Sequence, residues 1–320
     1  MRALVTGGAG FVGSHVVEAL LNEGHRVLVV DNLVTGRREN IPDGAGFVQV
    51  DITGDDLAPI CRDYAADAVF HQAAQTLVAA SAADPMGDAR VNVLGTINVL
   101  RHTLRAGCRK FVFASSGGTV YGNPVRQPVS EDHALVPISP YGVSKVAGEH
   151  FVRVLCAEAG AAFTILRYGN VFGPRDIPAS QHVITAFLDA LLEGRQPVIE
   201  WDGEQSKDYV YAGDVATANV CAIERGDNEA FNIGSQSEIT VNQIFKLVST
   251  LMGGEVKPKH RSKRPGDVRR FVLDCSKAAR LLDWTPQTPF VNGLARTVEY
   301  YRDRAIARAA LAEELSECKS

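Results

Sequence analysis

The 320-residue sequence predicts a doubly wound α/β fold, in which helices cover both faces of a parallel sheet. The first observation is a set of six short, nearly continuous apolar segments, and unbroken apolarity is typical of strands buried on both faces. These segments are Ala3–Thr6, Val27–Asp31, Phe47–Asp51, Ala68–His71, Lys110–Ser115 and Phe163–Arg167. The second observation is helical spacing of apolar residues between them, and such alternation predicts parallel strands joined by right-handed crossovers.

Amphipathic helices are predicted where apolar residues recur three and four positions apart. In the first half, the stripes are Val16, Val17, Leu20 and Leu21, then Val91, Leu94, Leu100 and Leu104, then Ala147, Phe151, Val154 and Leu155. Later helices are predicted over Ile184–Leu192, Thr240–Met252 and Phe290–Tyr301. Gly24 and Gly253 are suitable helix stops, and Thr240 is a suitable N-cap. We expect the Ala- and charge-rich chain after Tyr301 to be a solvated helix without a function.

The alternation of strands and helices loosens near residue 170, and this change predicts two domains. We expect residues 1–170 to form the larger one, completed by segments near 207–235 and 268–275. Residues 171–320 should form mainly a smaller C-terminal α/β region.

Composition excludes several classes of protein. The 33 basic and 37 acidic side chains give a net charge of −4 without a basic stripe, so no nucleic-acid partner is expected. No apolar run is long enough to cross a membrane, and the first residues are too weakly apolar for a signal peptide. The six cysteines stand alone, 43 to 65 residues apart, which argues against a zinc site or a disulfide framework. A cytoplasmic protein with reduced thiols and no metal is expected.

A glycine motif follows the first strand and opens the first helix. Gly7, Gly10 and Gly13 have the spacing GxxGxxG. Backbone without Cβ atoms lets a pyrophosphate approach the N–H groups of a helix N-terminus, here formed by Phe11 and Val12. The motif alone would fit an ordinary tight turn, but its position between a strand and a helix predicts a Rossmann-like dinucleotide site.

The end of the second strand indicates which dinucleotide binds. Asp31 lies 18 residues after Gly13, where a carboxylate can accept hydrogen bonds from the adenosine ribose. A carboxylate there repels a 2′-phosphate, so NAD is favoured over NADP. Arg37 and Arg38 could capture a phosphate, although their neighbours Gly36 and Asn40 favour an ordinary solvated loop.

Further cofactor contacts are expected at the ends of other strands. Asp51 and Ile52 could flank the adenine, and the small side chains of Ala73 and Ala74 would let the cofactor pass closely. Asn32 and Gly36 complete the cofactor residues expected around the second strand.

One helix carries the predicted chemistry. Ser139 is a suitable N-cap and Pro140 a suitable first residue, so the helix should begin just before Tyr141. Lys145 lies four residues after Tyr141, on the same helical face, and only this one of the eight tyrosines has such a lysine. The ammonium, together with an oxidised nicotinamide, should lower the pKa of the Tyr141 phenol towards neutrality. Tyr141 is therefore the expected proton acceptor, and Lys145 could also bind the nicotinamide ribose.

These motifs bring out a family resemblance. The segments TGGAGFVGSH, Asp31-Asn32, ASSGGTVYG (Ala114 to Gly122) and YGVSK resemble the extended short-chain dehydrogenase/reductase family. Within it, the chain is most similar to nucleotide-sugar epimerases of the UDP-glucose 4-epimerase type, and the likeness covers nearly the whole chain. The resemblance implies an NAD-dependent enzyme that inverts C4 of a UDP-sugar through a transient 4-keto intermediate, with UDP-glucose/UDP-galactose as first choice.

The resemblance also implies further site residues. Asn92, Ser115 and Tyr168 would contact the cofactor. The substrate residues would be Ser116, Tyr141, Asn170, Lys207, Arg264 and Asp267, with Asn170 at the sugar diphosphate and Arg264 at the phosphates. At position 207 the family usually has Arg, whose bidentate geometry a lysine lacks.

One position departs from the family. A Ser or Thr commonly stands three residues before the Val of VYG and binds the reacting sugar oxygen, but this chain has Gly117. We expect Ser116 to replace that hydroxyl, with Thr119 as the alternative. The alternative is that Ser115 and Ser116 only end a strand near the cofactor.

Rival functions are separated by the same motifs. The related 4,6-dehydratases carry an Asp-Glu pair where this chain has Gly118 and Thr119, which cannot do general acid/base work. UDP-glucuronate or a UDP-N-acetylhexosamine remains an alternative substrate, a cofactor-releasing reductase an alternative enzyme, and a dinucleotide-sensing module a non-enzymatic alternative.

A homodimer is also expected from the family. Apolar residues on the helices near Gly87–Ala106 and Tyr141–Ala159 could pack against a second copy. Packing against their own sheet would explain most of them equally well.

Overall fold

A computed structural model describes residues 1–180, 182–254, 256–263 and 268–317. Its main feature is a seven-stranded sheet in which every strand pair is parallel, in the order β10-β6-β5-β4-β1-β2-β3. The strands of the described chain are β1 Arg2–Thr6, β2 Arg26–Asp31, β3 Gly46–Gln49, β4 Ala68–His71, β5 Lys110–Ser116, β6 Ala162–Tyr168, β7 Asn170–Phe172, β8 Val198–Glu200, β9 Ser206–Tyr211, β10 Glu229–Ile233, β11 Glu238–Thr240 and β12 Lys259–Arg261.

Helices connect these strands. They are α1 Phe11–Asn22, α2 Leu57–Tyr64, α3 Val78–Ala83, α4 Pro85–Ala89, α5 Thr96–Arg105, α6 Gly117–Val120, α7 Pro140–Ala159, α8 Val183–Leu192, α9 Ala212–Cys221, α10 Val241–Leu251 and α11 Phe290–Glu317. Short 3₁₀ turns span Arg38–Asn40 and Pro178–Ser180, and wider π-helical turns span Arg90–Gly95 and Ala278–Leu282.

The predicted doubly wound parallel sheet is confirmed. Strand order reverses at β1, which lies between β2 and β4, and ligands of such sheets bind in the crevice above this reversal. The third strand is shorter than predicted: it ends at Gln49, so Asp51 lies in the loop that follows. Strand β10, which completes the seven-stranded sheet, was not predicted, because its five residues carry no motif of their own. The division into domains near residue 170 stays a prediction.

Burial on both faces explains the unbroken apolar segments. In β1, Ala3 and Val5 face a core packed by α1 and α9, whereas Leu4 faces the opposite core, packed by α2, α5 and α7. Successive side chains point to opposite faces of a strand, so a sheet covered on both sides needs apolar residues at every position.

A third apolar core holds the C-terminal elements together. Residues of α8, α10 and α11 pack there around the three-stranded sheet of β7, β9 and β11. The Thr240 hydroxyl caps α10 by accepting the N–H of Gln243 (3.2 Å), and Gly253 follows the helix with a φ of +84°, as predicted. Helix α11 continues past Tyr301, and Arg304 forms an ion pair with Glu39. The chain is thus helical through Glu317, as expected, and the described side chains from Arg302 to Ala307 are exposed or half-buried.

Two expectations from the sequence concern membrane-spanning helices and the cysteines. No described helix is long and apolar enough to cross a membrane. Five of the cysteines lie in the described chain and all are free thiols: Cys61, Cys108, Cys156, Cys221 and Cys275.

A buried histidine joins the two strands beside the reversal point. The Nδ1 and Nε2 atoms of His71 lie 2.7 Å and 2.9 Å from the hydroxyls of Thr6 and Thr96. The Thr96 hydroxyl donates to the carbonyl of Asn92, so it must accept from Nε2–H, which leaves Nδ1 to accept from Thr6. His71 is thus held neutral, and burial lowers its pKa to about 3.

Stability should fall on mild acidification. His71 and His15, whose pKa burial lowers to about 4, must gain protons on unfolding below their ordinary pKa of about 6.5. Their contribution is complete above pH 6.5 and is lost as the pH falls, by about 1.4 kcal/mol per pH unit for each group. His182 acts in the opposite sense, because Asp176 raises its pKa against the effect of burial.

The measurement is the free energy of unfolding in urea at pH 7, 6 and 5. The variant His71→Gln, which keeps a donor and an acceptor, should show a shallower pH dependence than the unchanged protein. Equal slopes for the two proteins would contradict this account.

Candidate active site

The glycine motif forms a close-packed cradle at the start of α1. Gly7 has a φ of +71°, a conformation that favours glycine, and a Cβ there would lie 2.6 Å from the backbone nitrogen of Ala73. A Cβ on Gly13 would lie 2.1 Å from the carbonyl oxygen of Gly7. Gly10 caps α1, whose first residues are Phe11 and Val12. The cradle therefore presents bare backbone at a helix N-terminus, which fits a dinucleotide pyrophosphate.

Asp31 lies at the edge of this cradle. Its carboxylate accepts the N–H groups of Ala9 (3.0 Å) and Leu33 (2.8 Å), one on each oxygen. Burial raises its pKa, and these backbone hydrogen bonds lower it again. A Cβ on Gly36 would lie 2.7 Å from Asp31 Oδ1, so glycine is what permits this loop to approach. Each oxygen keeps a second acceptor position that could serve a ribose hydroxyl.

The other predicted adenine residues lie beside the ends of β2 and β3. The amide of Asn32 donates to Asp51 Oδ2 (2.8 Å), and Thr53 donates to Oδ1 through both its N–H and its hydroxyl. The hydroxyl of Thr53 is the main cause that lowers the pKa of Asp51. Ile52 is buried against Gly95. Together these contacts give the loop a fixed shape next to Asp31.

The loop after β4 closes the other side of the cradle. Ala73 abuts Gly7, and Ala74 follows it. Asn92 is buried, and its amide accepts the N–H of Gln75 (2.9 Å) and donates to the Gln75 carbonyl (2.9 Å). Asn92 therefore shapes this loop, and a direct contact with the cofactor stays a prediction.

Helix α7 begins as predicted. The Ser139 hydroxyl accepts the N–H of Gly142 (3.1 Å), and Pro140 is the first helical residue. A second hydroxyl, that of Ser81, accepts the N–H of Tyr141 (3.1 Å). Two side chains thus satisfy the free N–H groups of the first turn, and they fix the position of Tyr141.

The three predicted catalytic side chains meet at the end of β5. The Ser116 hydroxyl lies close enough to the Tyr141 phenol to lower its pKa. The Lys145 Nζ lies 5.8 Å from the centre of the Tyr141 ring and donates to the carbonyl of Ala114 (2.9 Å). Tyr141 and Lys145 are both buried, whereas Ser116 is half-buried. A hydroxyl, a phenol and an amine thus share one small region at the carboxyl edge of the sheet.

The electrostatics of Tyr141 differ from the prediction. Burial raises the pKa of the phenol above its ordinary value, the contact with Ser116 lowers it, and the negative charge of Asp88 raises it. Burial also lowers the pKa of Lys145 to about 8, against the charges of Asp88 and Glu149. The prediction of a lowered Tyr141 pKa included the positive charge of a cofactor. In the chain by itself, the loss of hydration is the larger effect.

The structure explains why position 117 has no side chain. A Cβ on Gly117 would lie 2.9 Å from a methyl carbon of Leu273 and 3.2 Å from the carbonyl oxygen of Arg167. A serine or threonine would therefore need these groups to shift. The Thr119 hydroxyl is buried and has no hydrogen-bond partner among the described residues, whereas the Ser116 hydroxyl acts on the pKa of Tyr141.

Two predicted residues of the next strands lie nearby. Asn170 begins β7, and its Oδ1 lies 3.5 Å from the place where a Cβ on Gly118 would stand. The Tyr168 hydroxyl, at the end of β6, is buried and hydrogen-bonded to Gln72 and Asn219. Asn170 thus lies beside α6, the short helix that follows β5. Tyr168 holds the start of the loop after β4 through its hydrogen bond with Gln72.

The remaining substrate predictions lie further along the chain. Lys207 is on β9, opposite Ile239 of β11. Arg264 and Asp267 lie outside the described residues, and their role stays a prediction. Phe271 is buried.

Sequence reasoning missed a buried network below the catalytic residues. Glu149 Oε1 accepts the hydroxyl of Ser115 (2.6 Å), and both carboxylate oxygens accept N–H groups of Arg167 (2.9 and 2.7 Å). Ser115 thus joins β5 to α7 through Glu149, and its contact with the cofactor stays a prediction. Glu149 follows Lys145 by four residues on the same face of α7, and this spacing is the signal that could have found it.

The comparisons with known proteins agree with this geometry. The model of the NAD dependent epimerase/dehydratase family matches residues 3–234. The UDP-glucose 4-epimerase of Mycolicibacterium smegmatis is 39% identical over 312 residues, which are 95% of this chain and 100% of that protein.

Solved structures resemble the whole chain. The UDP-glucose 4-epimerase of Thermotoga maritima with UDP-glucose has a TM-score of 0.92 at 42% identity, and the match covers 95% of this chain and 99% of that one. The UDP-glucose 4-epimerase of Thermus thermophilus in complex with NAD has a TM-score of 0.87 at 38% identity, over 94% and 99% of the two chains. The chain belongs to the NAD dependent epimerase/dehydratase family, as its resemblance to the extended short-chain dehydrogenases/reductases predicts.

Proposed function

We propose that this chain is an NAD-dependent epimerase that inverts C4 of a UDP-sugar, with UDP-glucose and UDP-galactose as the substrate pair. The observation that carries the proposal is the meeting of the Tyr141 phenol, the Ser116 hydroxyl and the Lys145 amine at the carboxyl edge of the sheet. Relatives named UDP-glucose 4-epimerase, with structures that hold UDP-glucose or NAD, support the choice of ligands.

Different residues of the site have different roles in the reaction. Bound NAD would supply the redox chemistry, and the cradle of Gly7, Gly10 and Gly13 with Asp31 would hold it. Tyr141 takes the proton of the C4 hydroxyl as that carbon is oxidised. After the 4-keto sugar has rotated in the pocket to present its other face, Tyr141 returns the proton. Ser116 orients the same oxygen. The ammonium of Lys145 favours the phenolate form of Tyr141.

We further propose that the protein acts in the cytoplasm as a homodimer. Leu94 and, on α7, Val143, Phe151 and Val154 expose 60%, 54%, 38% and 55% of their surfaces. Leu94, Phe151 and Val154 belong to the apolar stripes that could have packed on the sheet, but they are exposed. The π-helical turn that carries Leu94 packs beside α7, so the exposed side chains could form one apolar surface that a second copy of the chain would cover through two-fold symmetry.

The first test is an assay of the purified protein with UDP-galactose and catalytic NAD. We expect UDP-glucose to accumulate without any added reductant, because the hydride removed from C4 returns to it. A panel of UDP-hexoses, UDP-uronates and UDP-N-acetylhexosamines, with products separated by chromatography, identifies the preferred sugar. Nucleotide binding without turnover would refute the enzymatic function.

Replacing Tyr141 tests the proposed base. The variant Tyr141→Phe keeps the ring but not the hydroxyl, and it should lower kcat about 10²- to 10⁴-fold, the usual contribution of general acid–base catalysis. KM should change little. The matched control is Tyr64→Phe. It removes a hydroxyl that donates to the carbonyls of Ala3 and Arg26, far from the site. An unchanged kcat for Tyr141→Phe would rule out this residue as the base.

Replacing the two candidate hydroxyls separates Ser116 from Thr119. Ser116→Ala removes the contact with Tyr141 and should lower kcat about 10- to 100-fold. Thr119→Ser, which keeps the hydroxyl, and Thr119→Val, which removes it, should both retain most of the activity. If Thr119→Val is the more damaging substitution, the assignment of Ser116 is wrong.

The dimer is tested by sedimentation. Val154→Asp would place a carboxylate in the apolar surface, and the desolvation of this charge should shift the protein from dimer to monomer. Val125→Asp, at a position that is 92% exposed in a loop, is the control and should leave the dimer intact. A monomeric unchanged protein would contradict the proposal.

A further inference from the structure

A buried carboxylate lies close to the catalytic pair without being part of it. Asp88, on α4, is only 2% exposed. Its Oδ2 accepts the hydroxyl of Ser144 (2.6 Å), and its Oδ1 accepts the amides of Asn92 and Gln75 (2.9 Å each). These neutral donors come from α7, from the π-helical turn and from the loop after β4. Among the described residues, no cation hydrogen-bonds to Asp88.

The ammonium group on which the charge of Asp88 acts is that of Lys145, on α7. Lys145 follows Ser144 directly, and it is buried without an ion-pair partner among the described residues. The carboxylate of Asp88 is the larger of the two charges that raise the pKa of Lys145 against burial. A buried ammonium without a counter-charge loses its proton readily.

The other groups that face Lys145 supply less of this counter-charge. Glu149 is one turn further along α7, but its carboxylate is bidentate with Arg167, so the pair is neutral as a whole. His71 on β4 is held neutral by two threonines, and burial raises the pKa of the Tyr141 phenol, which disfavours its charged form. Asp88 is thus the one uncompensated charge among the described groups around Lys145.

We propose that Asp88 is a positioning residue for the epimerisation, the buried counter-charge that keeps Lys145 an ammonium. Its hydrogen bonds also join the catalytic helix to the loop after β4 that borders the nucleotide cradle. The inference rests on the proposed function for its consequence in catalysis, but the charge state of Lys145 can be measured without any substrate.

The first experiment follows the Lys145 side chain by NMR. The full-length protein is labelled with ¹³C at lysine Cε, and the Lys145 signal is assigned by its loss in Lys145→Met. In Asp88→Asn, which keeps the shape and can still pair with Ser144, the midpoint of the Lys145 titration should fall by about 1 pH unit. Asp88→Glu, which restores the charge, should return most of the shift. Asp84→Asn, at the exposed cap of the same helix, should leave the midpoint unchanged.

The second experiment measures kcat/KM for epimerisation against pH. Because Asp88 raises the pKa of both Tyr141 and Lys145, both limbs of the profile should move to lower pH in Asp88→Asn. If Asp88→Asn fails to fold, Asp88→Ser removes the same charge with a smaller side chain. An unshifted Lys145 midpoint overturns the inference even in an active enzyme. An inactive unchanged protein with a shifted midpoint in the variant would instead refute only the proposed function.

Discussion

The site depends on the buried ion pair between Glu149 and Arg167. Tyr141, Lys145 and Glu149 occupy successive turns of one face of α7, so whatever fixes Glu149 also fixes the other two. Arg167 holds Glu149 from β6, and Ser115 holds it from β5, one residue before Ser116. Helix and strands are therefore joined at the level where the reacting groups emerge.

A buried pair of this kind is a constraint rather than a source of stability. Moving two charges out of water costs several kcal/mol for each, and their attraction offsets this only when the geometry is good. Here the guanidinium makes two parallel bonds to the carboxylate and a third to the Tyr121 hydroxyl (2.9 Å). Because these bonds are directional, α7 can pack against the sheet in only one position. This position places the phenol of Tyr141 near Ser116.

Local patterns predicted what depends on neighbouring residues in the chain. The glycine cradle, the caps of α7 and the Tyr141–Lys145 pair all follow from short spacings. Contacts between distant segments were not predictable in this way: Leu273 closes the space at Gly117, and Asp88 reaches Ser144 from another helix. The effect of burial on the pKa of Tyr141 is of the same kind, because burial depends on the whole fold whereas spacing reveals only adjacent charges.

The position of β10 has a consequence for how the chain is made. This strand pairs with β6, yet about 60 residues separate the two along the chain. At a synthesis rate of roughly 5–20 residues per second, β6 leaves the ribosome several seconds before its partner. During that interval the seven-residue β6 is the edge strand in place of the five-residue β10, and an edge strand is a template for pairing with other chains. The nascent polypeptide therefore exposes a longer sheet edge until β10 arrives.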